Sequence, residues 1–134
     1  GWVMAIGLRD FGVVRSDPAA LPESMATTLA TIAPAPEVLR VAKLGERIIG
    51  GYAMHEPLSI DEQVARTFSL AMVMVEPNCQ GNGVGRWLIG HAIGVAESKG
   101  GRHLEARFSG PADFFRGLGF RAADEGFRFD MYPE

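Results

Sequence analysis

The chain has a single cysteine, Cys79, so no internal disulfide can form, and a reducing, cytoplasmic setting is the expectation. It also lacks any apolar run near the roughly 20 residues that a membrane-crossing helix needs. Its start does not have the charged-then-apolar layout of a signal peptide, and its first residue is Gly1 rather than Met, which fits a tag remnant, a processed form or a fragment. Basic charge is scarce. The 13 Lys and Arg against 16 Asp and Glu leave a net charge of −3, which argues against nucleic acid or an anionic membrane as partner. No repeat, low-complexity tract, charge block or linker divides the 134 residues, so a single domain over 1–134 is expected, and nothing calls for a metal ion.

What is present is the composition of a globular protein, 47% hydrophobic and 22% charged, with enough chain to bury one core. Residues 2–11 read as a first strand. Residues 17–33 read as helix, opened by Asp17 and Pro18 and broken in two at Pro22. Residues 37–45 and 47–57 read as a hairpin about a Gly45-Glu46 turn. A polar crossing over 58–63 then leads to a long strand, 64–75, apolar on both faces as a central strand would be. A helix follows, with Val84, Trp87, Leu88, His91, Ala92 and Val95 at the spacing of one packed face, stopped by Gly100 and Gly101. Residues 102–109 read as strand, 111–120 as a short helix closed by Gly119, and 120–133 as a final hairpin. The sum is an α/β protein with a mixed central sheet of about six or seven strands and flanking helices.

Between the long strand and the long helix stands QGNGVG, Gln80 to Gly85. A helix N-terminus presents unpaired N–H groups and about half a positive charge, and glycines remove the side chains that would keep a phosphate away. The dinucleotide fingerprint G-x-G-x-x-G fails, because Arg86 stands where its third glycine would be, and no GK[ST] follows for a Walker A loop.

The spacing Q-x-x-G-x-G, carried by Gln80, Gly83 and Gly85 after the VEP of Val75 to Pro77, resembles the acetyl-CoA pyrophosphate loop of the GNAT superfamily of acyl-CoA-dependent N-acyltransferases. LEARFSG over 104–110 and FFRGLGF over 114–120 extend the resemblance, which covers about half the chain from Val64 onward. It implies the GNAT fold, acetyl-CoA as co-substrate without a metal, and transfer of an acetyl group to a primary amine of a small molecule or protein. It also implies that Val73, Met74 and Val75 pair with the pantetheine arm and that the N–H groups of Gly81, Asn82, Gly83, Val84, Gly85 and Arg86 hold the pyrophosphate. Family members are often dimers, so a homodimer is compatible with it. A backbone N–H near Val75 would receive the oxyanion.

Glu105, in a strand similar to the L-E-V-R of ribosomal-protein alanine acetyltransferases, is the first candidate base. The alternative is a strand carboxylate paired with Arg107 or Arg102. Glu76 at the mouth of the gap is the second candidate, and His55 and Glu56 could face the acceptor. Phe115 stands where many members have a tyrosine that protonates the leaving thiolate, which a phenyl ring cannot do. Tyr52, Tyr132, Ser109 or water are the substitutes to weigh. Cys79 has no His or Asp at motif spacing and reads as incidental. Gly90 and Gly94 share a face with Arg86, and close packing to the sheet or to the cofactor, the former first, is the expected reason for them. The departure at Phe115 keeps open a second reading, a GNAT-fold module that binds acetyl-CoA and regulates a partner without turnover.

Overall fold

The computed structural model describes residues 7, 10–107, 112–123 and 126–131. Seven strands form one sheet: β1 (Phe11–Arg15), β2 (Val38–Leu44), β3 (Arg47–His55), β4 (Thr67–Val75), β5 (His103–Ala106), β6 (Arg121–Ala123) and β7 (Gly126–Asp130). Their order is β1-β2-β3-β4-β5-β7-β6. Neighbouring strands run antiparallel except β4 and β5, which are parallel at the centre. Four helices join them: α1 (Glu23–Ala30), α2 (Ile60–Ala65), α3 (Val84–Ser98) and α4 (Ala112–Gly117).

Each face of the sheet is covered because each long helix has an apolar stripe. From α3, the side chains of Val84, Leu88, Ile89, Ala92 and Ala96 are buried in one cluster with Tyr52, Met54, Phe68, Leu70 and Leu104. Burying a side chain such as Leu88 contributes about 1.5–3 kcal/mol. Trp87, expected on that stripe, is instead 48% exposed on the helix flank, edge-on to Phe11, and Ile89 takes the inward position. On the opposite face Met25 of α1, with Leu29 and Ile32, packs on Val41, Ile48, Ala53 and Met72. The break expected at Pro22 is present: a short 3-10 turn over Pro18–Ala20, capped by Asp17, precedes α1.

Two other expectations are revised, and a third falls mostly outside the described residues. The strand expected over 2–11 lies mostly outside the described residues, and β1 runs from Phe11 on to Arg15. The polar crossing contains helix α2, and β4 starts at Thr67 rather than Val64. The cause is a capping arrangement. Ser59 Oγ accepts the N–H of Glu62 at 3.0 Å, and the Glu62 carboxylate accepts the N–H of Leu58 at 3.3 Å. Arg66 then ends the helix in the left-handed region, φ 54°. Finally, β5 begins at His103 and its described part ends at Ala106. The hairpin about Gly45-Glu46 is as expected, with Leu44 opposite Arg47 and Gly45 at φ 62°.

One irregularity shapes the centre of the sheet. Met54 pairs with Leu70 and Ala53 with Met72, so Ala71 is an extra residue, a β-bulge. Before it Leu70 packs with the α3 cluster, and after it Met72 packs with the α1 cluster. Without the bulge, residues 70 and 72 would share a face.

The far side of the sheet is fastened by charge. Asp130 accepts from His103 Nδ1 at 2.7 Å, Arg121 Nε at 3.0 Å and Arg128 Nε at 3.2 Å, and Arg128 also donates to Glu105 at 2.9 Å. Burial alone would raise the Asp130 pKa, but the bonds from His103, Arg121 and Arg128 outweigh it and bring it from 3.8 down to about 2. A folded-state value below the unfolded one adds stability that is complete above about pH 4 and is lost as pH falls toward 2. Asp130→Asn is therefore expected to lower unfolding free energy at pH 7 by about 1.5–3 kcal/mol. In urea titrations the gap between variant and parent should narrow between pH 4 and pH 2. Equal stabilities at pH 7 would show that the network carries no net stabilisation.

Candidate functional site

The pairing of β4 with β5 runs from Thr67 opposite His103 to Leu70 opposite Ala106 and stops there. Beyond it β4 continues from Ala71 to Val75, held only by β3, where Val75 still faces Gly50. Among the described residues, the β5-side edge of Ala71 to Val75 therefore has no strand partner. At about 3.3 Å per residue, that open edge is roughly 13 Å long.

The chain leaves β4 into the glycine turn by a specific set of bonds. Glu76 N–H donates to the Ile49 carbonyl at 2.8 Å, and a 3-10 turn follows over Pro77–Cys79. The side chain of Gln80 donates to the Val75 carbonyl at 3.1 Å, and that of Asn82 to the Cys79 carbonyl at 3.1 Å. These two amides fold the loop back on its own strand. Gly81 (φ 85°) and Gly83 (φ 81°) take left-handed conformations that a side chain would strain.

Gly83 is the N-cap of α3, and no side chain caps that helix. Its first intrahelical bond is Trp87 N–H to the Gly83 carbonyl at 3.0 Å. The N–H groups of Val84, Gly85 and Arg86 thus lie in the first turn, where helix geometry gives them no intrahelical acceptor and the dipole adds positive potential. A Cβ at Gly85 would sit 3.7 Å from Val75 and 3.8 Å from the ring of Phe114, so strand end, helix start and α4 converge at this glycine. Arg86 reaches across to the Gly117 carbonyl at 3.3 Å and ties α3 to the end of α4.

Val73, Met74, Val75 and the residues from Gln80 to Arg86 are thereby brought into one continuous surface. Phe115 is not on it. That ring is 3% exposed, stacked on Phe127 with centroids 4.5 Å apart, and edge-on to Phe120. Its neighbour Phe114, 38% exposed, is the ring beside Gly85. Sequence reasoning missed Phe114, because the FF doublet does not say which ring faces inward.

Both candidate carboxylates are already engaged. Glu105 accepts from Arg128 on one oxygen, and on the other from Arg107 Nε at 3.1 Å and Nη2 at 3.0 Å. Arg107 was an expected partner, and Arg128 takes the place weighed for Arg102. Glu76 is bonded to Arg47. Tyr52, weighed as a substitute acid, is fully buried and its hydroxyl lies 2.8 Å from His91 Nδ1. Tyr132 and Ser109 lie outside the described residues. Cys79 is fully buried, and its thiol pKa is pushed up by burial and by Glu76, against the opposing charge of Arg47. That environment disfavours a thiolate nucleophile. The close packing to the sheet expected at Gly90 and Gly94 is absent, since a Cβ at either would meet no protein atom within 4 Å.

On the other side of the bulge, His55, Ser69, Leu70 and Ala71 line a cavity of about 340 Å³, closed by Leu58 and Glu62 from the α2 segment and by Arg107. His55 Nδ1 is enclosed without a hydrogen-bond partner. Glu56, beside it in sequence, instead pairs with Lys99 at 3.8 Å.

Comparison with known proteins bears directly on this arrangement. A family model described as an acetyltransferase (GNAT) domain matches residues 35–122. A GNAT family acetyltransferase from Brucella melitensis, solved in complex with acetyl-CoA, is 17% identical, with a TM-score of 0.69 over 92% of this chain and 90% of its own. An IAA acetyltransferase from Bacillus cereus is 24% identical, with a TM-score of 0.63 over 83% of this chain and 77% of its own. A GNAT family acetyltransferase from Elizabethkingia anophelis, solved with acetyl-CoA bound, is 18% identical, with a TM-score of 0.67 over 91% of this chain and 99% of its own. No curated protein matches the sequence. At these identities the structural likeness establishes a shared fold, while the family model spans about two thirds of the chain, bulge, glycine turn and α3 included. The chain belongs to the GNAT family of acetyltransferases.

Proposed function

We propose that this domain is an acetyl-CoA-dependent N-acetyltransferase that moves an acetyl group to a primary amine. The observation that carries the reading is the open edge of β4 from Ala71 to Val75, which ends at the uncapped N-terminus of α3. Its length is comparable with that of an extended pantetheine arm. Backbone groups of Val73, Met74 and Val75 would pair with the arm as a missing strand would. The N–H groups from Gly81 to Arg86 would hold the diphosphate, Gln80 and Asn82 would keep the turn in shape, and Phe114 would flank it.

With the diphosphate at the Val75 end, the thioester lies toward Ala71 to Val73. The N–H that meets the developing oxyanion is therefore sought there rather than at Val75. In the transfer the amine nitrogen bonds to the thioester carbon, the C–S bond breaks, and the thiolate leaves with the electron pair. A thiol of pKa about 8.5 is an adequate leaving group near neutral pH without a dedicated acid. The amine must reach this centre unprotonated. Glu105 and Glu76 would take its proton only by giving up bonds to Arg107, Arg128 or Arg47, so water in the cavity beside His55 is the route favoured here.

One observation favours a second reading, an acetyl-CoA-binding module without turnover: the position that often holds the family's tyrosine is a phenylalanine buried in the core. Two measurements decide between them. Calorimetry with CoA is expected to show binding, and incubation of amines with acetyl-CoA is expected to release free thiol. Binding without thiol release would leave the regulatory reading.

Gly83→Val puts a β-branched residue at φ 81° at the cap of α3. It is expected to weaken CoA binding at least tenfold while circular dichroism shows a folded protein, and unchanged affinity would remove the loop from the site. Phe115→Tyr inserts a hydroxyl beside Phe127 and should cost about 1–3 kcal/mol of stability with no gain in thiol release. A variant that releases thiol faster would place residue 115 at the reacting sulfur after all.

A further inference from the structure

The cavity beside the bulge has a composition that narrows the acceptor. It is lined by Ser69, Leu70 and Ala71, the β4 residues at which pairing with β5 ends. A thioester lying toward Ala71 would open into it, so this inference rests on the proposed placement of the acyl donor. Its volume of about 340 Å³ is at the small end of ligand pockets.

The charges facing this space are unequal. Glu62 contributes a carboxylate. Arg107 contributes a guanidinium whose Nε and Nη2 both bond to Glu105, a carboxylate it shares with Arg128. A substrate carboxylate would meet Glu62 and would have to compete with Glu105 for Arg107. A substrate ammonium meets neither obstacle.

Apart from Ser69 and His55, the remaining lining of Pro34, Leu58, Leu70 and Ala71 is apolar. Leu58 at the rim is 52% exposed, and Ile60 and Val64 on α2 are 79% and 81% exposed. Of these three, Leu58 lines the cavity, while Ile60 and Val64, four residues apart, share a face of α2 with each other and not with Glu62. An acceptor with an apolar body would cover Leu58 while its amine lies beside Glu62.

We propose that the acceptor enters between α2 and the β4 bulge, and that it is an amine with an apolar body and no carboxylate. Glu62 is a specificity residue for its charge. The pair 2-phenylethylamine and phenylalanine isolates the claim, because the two differ by one carboxylate. With acetyl-CoA, thiol release is expected to show kcat/KM at least tenfold higher for 2-phenylethylamine. Glu62→Gln, which keeps an acceptor for the Leu58 N–H, is expected to raise KM for this amine about tenfold and to leave CoA affinity unchanged. A preference for phenylalanine, or a KM insensitive to Glu62→Gln, overturns the proposal.

A second readout separates this claim from the enzymatic one. Saturation-transfer NMR on CoA-saturated protein reports amine binding without chemistry. Binding of 2-phenylethylamine that weakens in Glu62→Gln supports the acceptor site even if no thiol is released, in which case only the turnover reading fails. No detectable binding to protein that does bind CoA overturns the acceptor site alone.

Discussion

Much of this molecule follows from one inserted residue. Ala71 bulges out of the β3–β4 ladder, and a bulge both bends its strand and raises local twist. In a regular sheet β4 and β5 would keep pairing to their ends and leave no backbone free. Here the ladder closes at Leu70 opposite Ala106, and β4 runs on alone on that side. The same insertion hands Met72 to the α1 face, so both helical layers remain packed across a sheet that has opened between its two central strands. Backbone groups are costly to leave unpaired away from water. An open edge in the middle of a sheet is thus a place where a ligand with alternating donors and acceptors has something to gain.

Opening the centre removes contacts, and the flanks supply others. On the far side, β5 is held to β7 by four register pairs and by the charge network running from Arg107 through Glu105 and Arg128 to Asp130. Phe115, Phe120, Phe127 and Phe129 pack ring on ring beneath it. Phe115 and Glu105 are therefore in use as structure whatever else they do. This is why motif position alone is a weak guide to their chemistry: the same residue type at the same spacing can face the gap or the core, depending on how a short helix such as α4 is rotated.

The sequence was most legible where local chemistry decides conformation. The Gly45-Glu46 hairpin, the break at Pro22, the helix after the glycine turn and the turn itself each rest on residues whose backbone preferences override tertiary context. It was less legible where tertiary packing decides. Nothing in TFSLAMVMV marks Ala71 as the extra residue, because the run is apolar on both faces and every register looks equally good. Ser59 and Glu62 carry the capping signal for α2, but the stretch read as a polar crossing and Val64 was absorbed into the apolar run that follows. Trp87 and Ile89 exchanged roles on α3, since a hydrophobic stripe fixes the buried arc only to within about one residue. Gly90 and Gly94 invited a packing explanation, yet they lie on open surface.

The loop also needs a fixed platform, and the chemistry of Tyr52 and His91 explains how α3 provides one. Tyr52 is fully buried under the helix, and burial, opposed only in part by Arg40, holds its pKa well above the ordinary phenol value. His91 is shifted the other way, lowered by burial and then by Arg40. Both shifts favour the same state near neutral pH, a neutral phenol donating to a neutral imidazole at Nδ1. The pair thus anchors the middle of α3 without placing a charge in the core. Arg86 ties the first turn of the helix to α4 through the Gly117 carbonyl. Held at two points, α3 keeps its first-turn N–H groups in register with the end of β4. Donors fixed in advance need little reorganisation when an anion arrives.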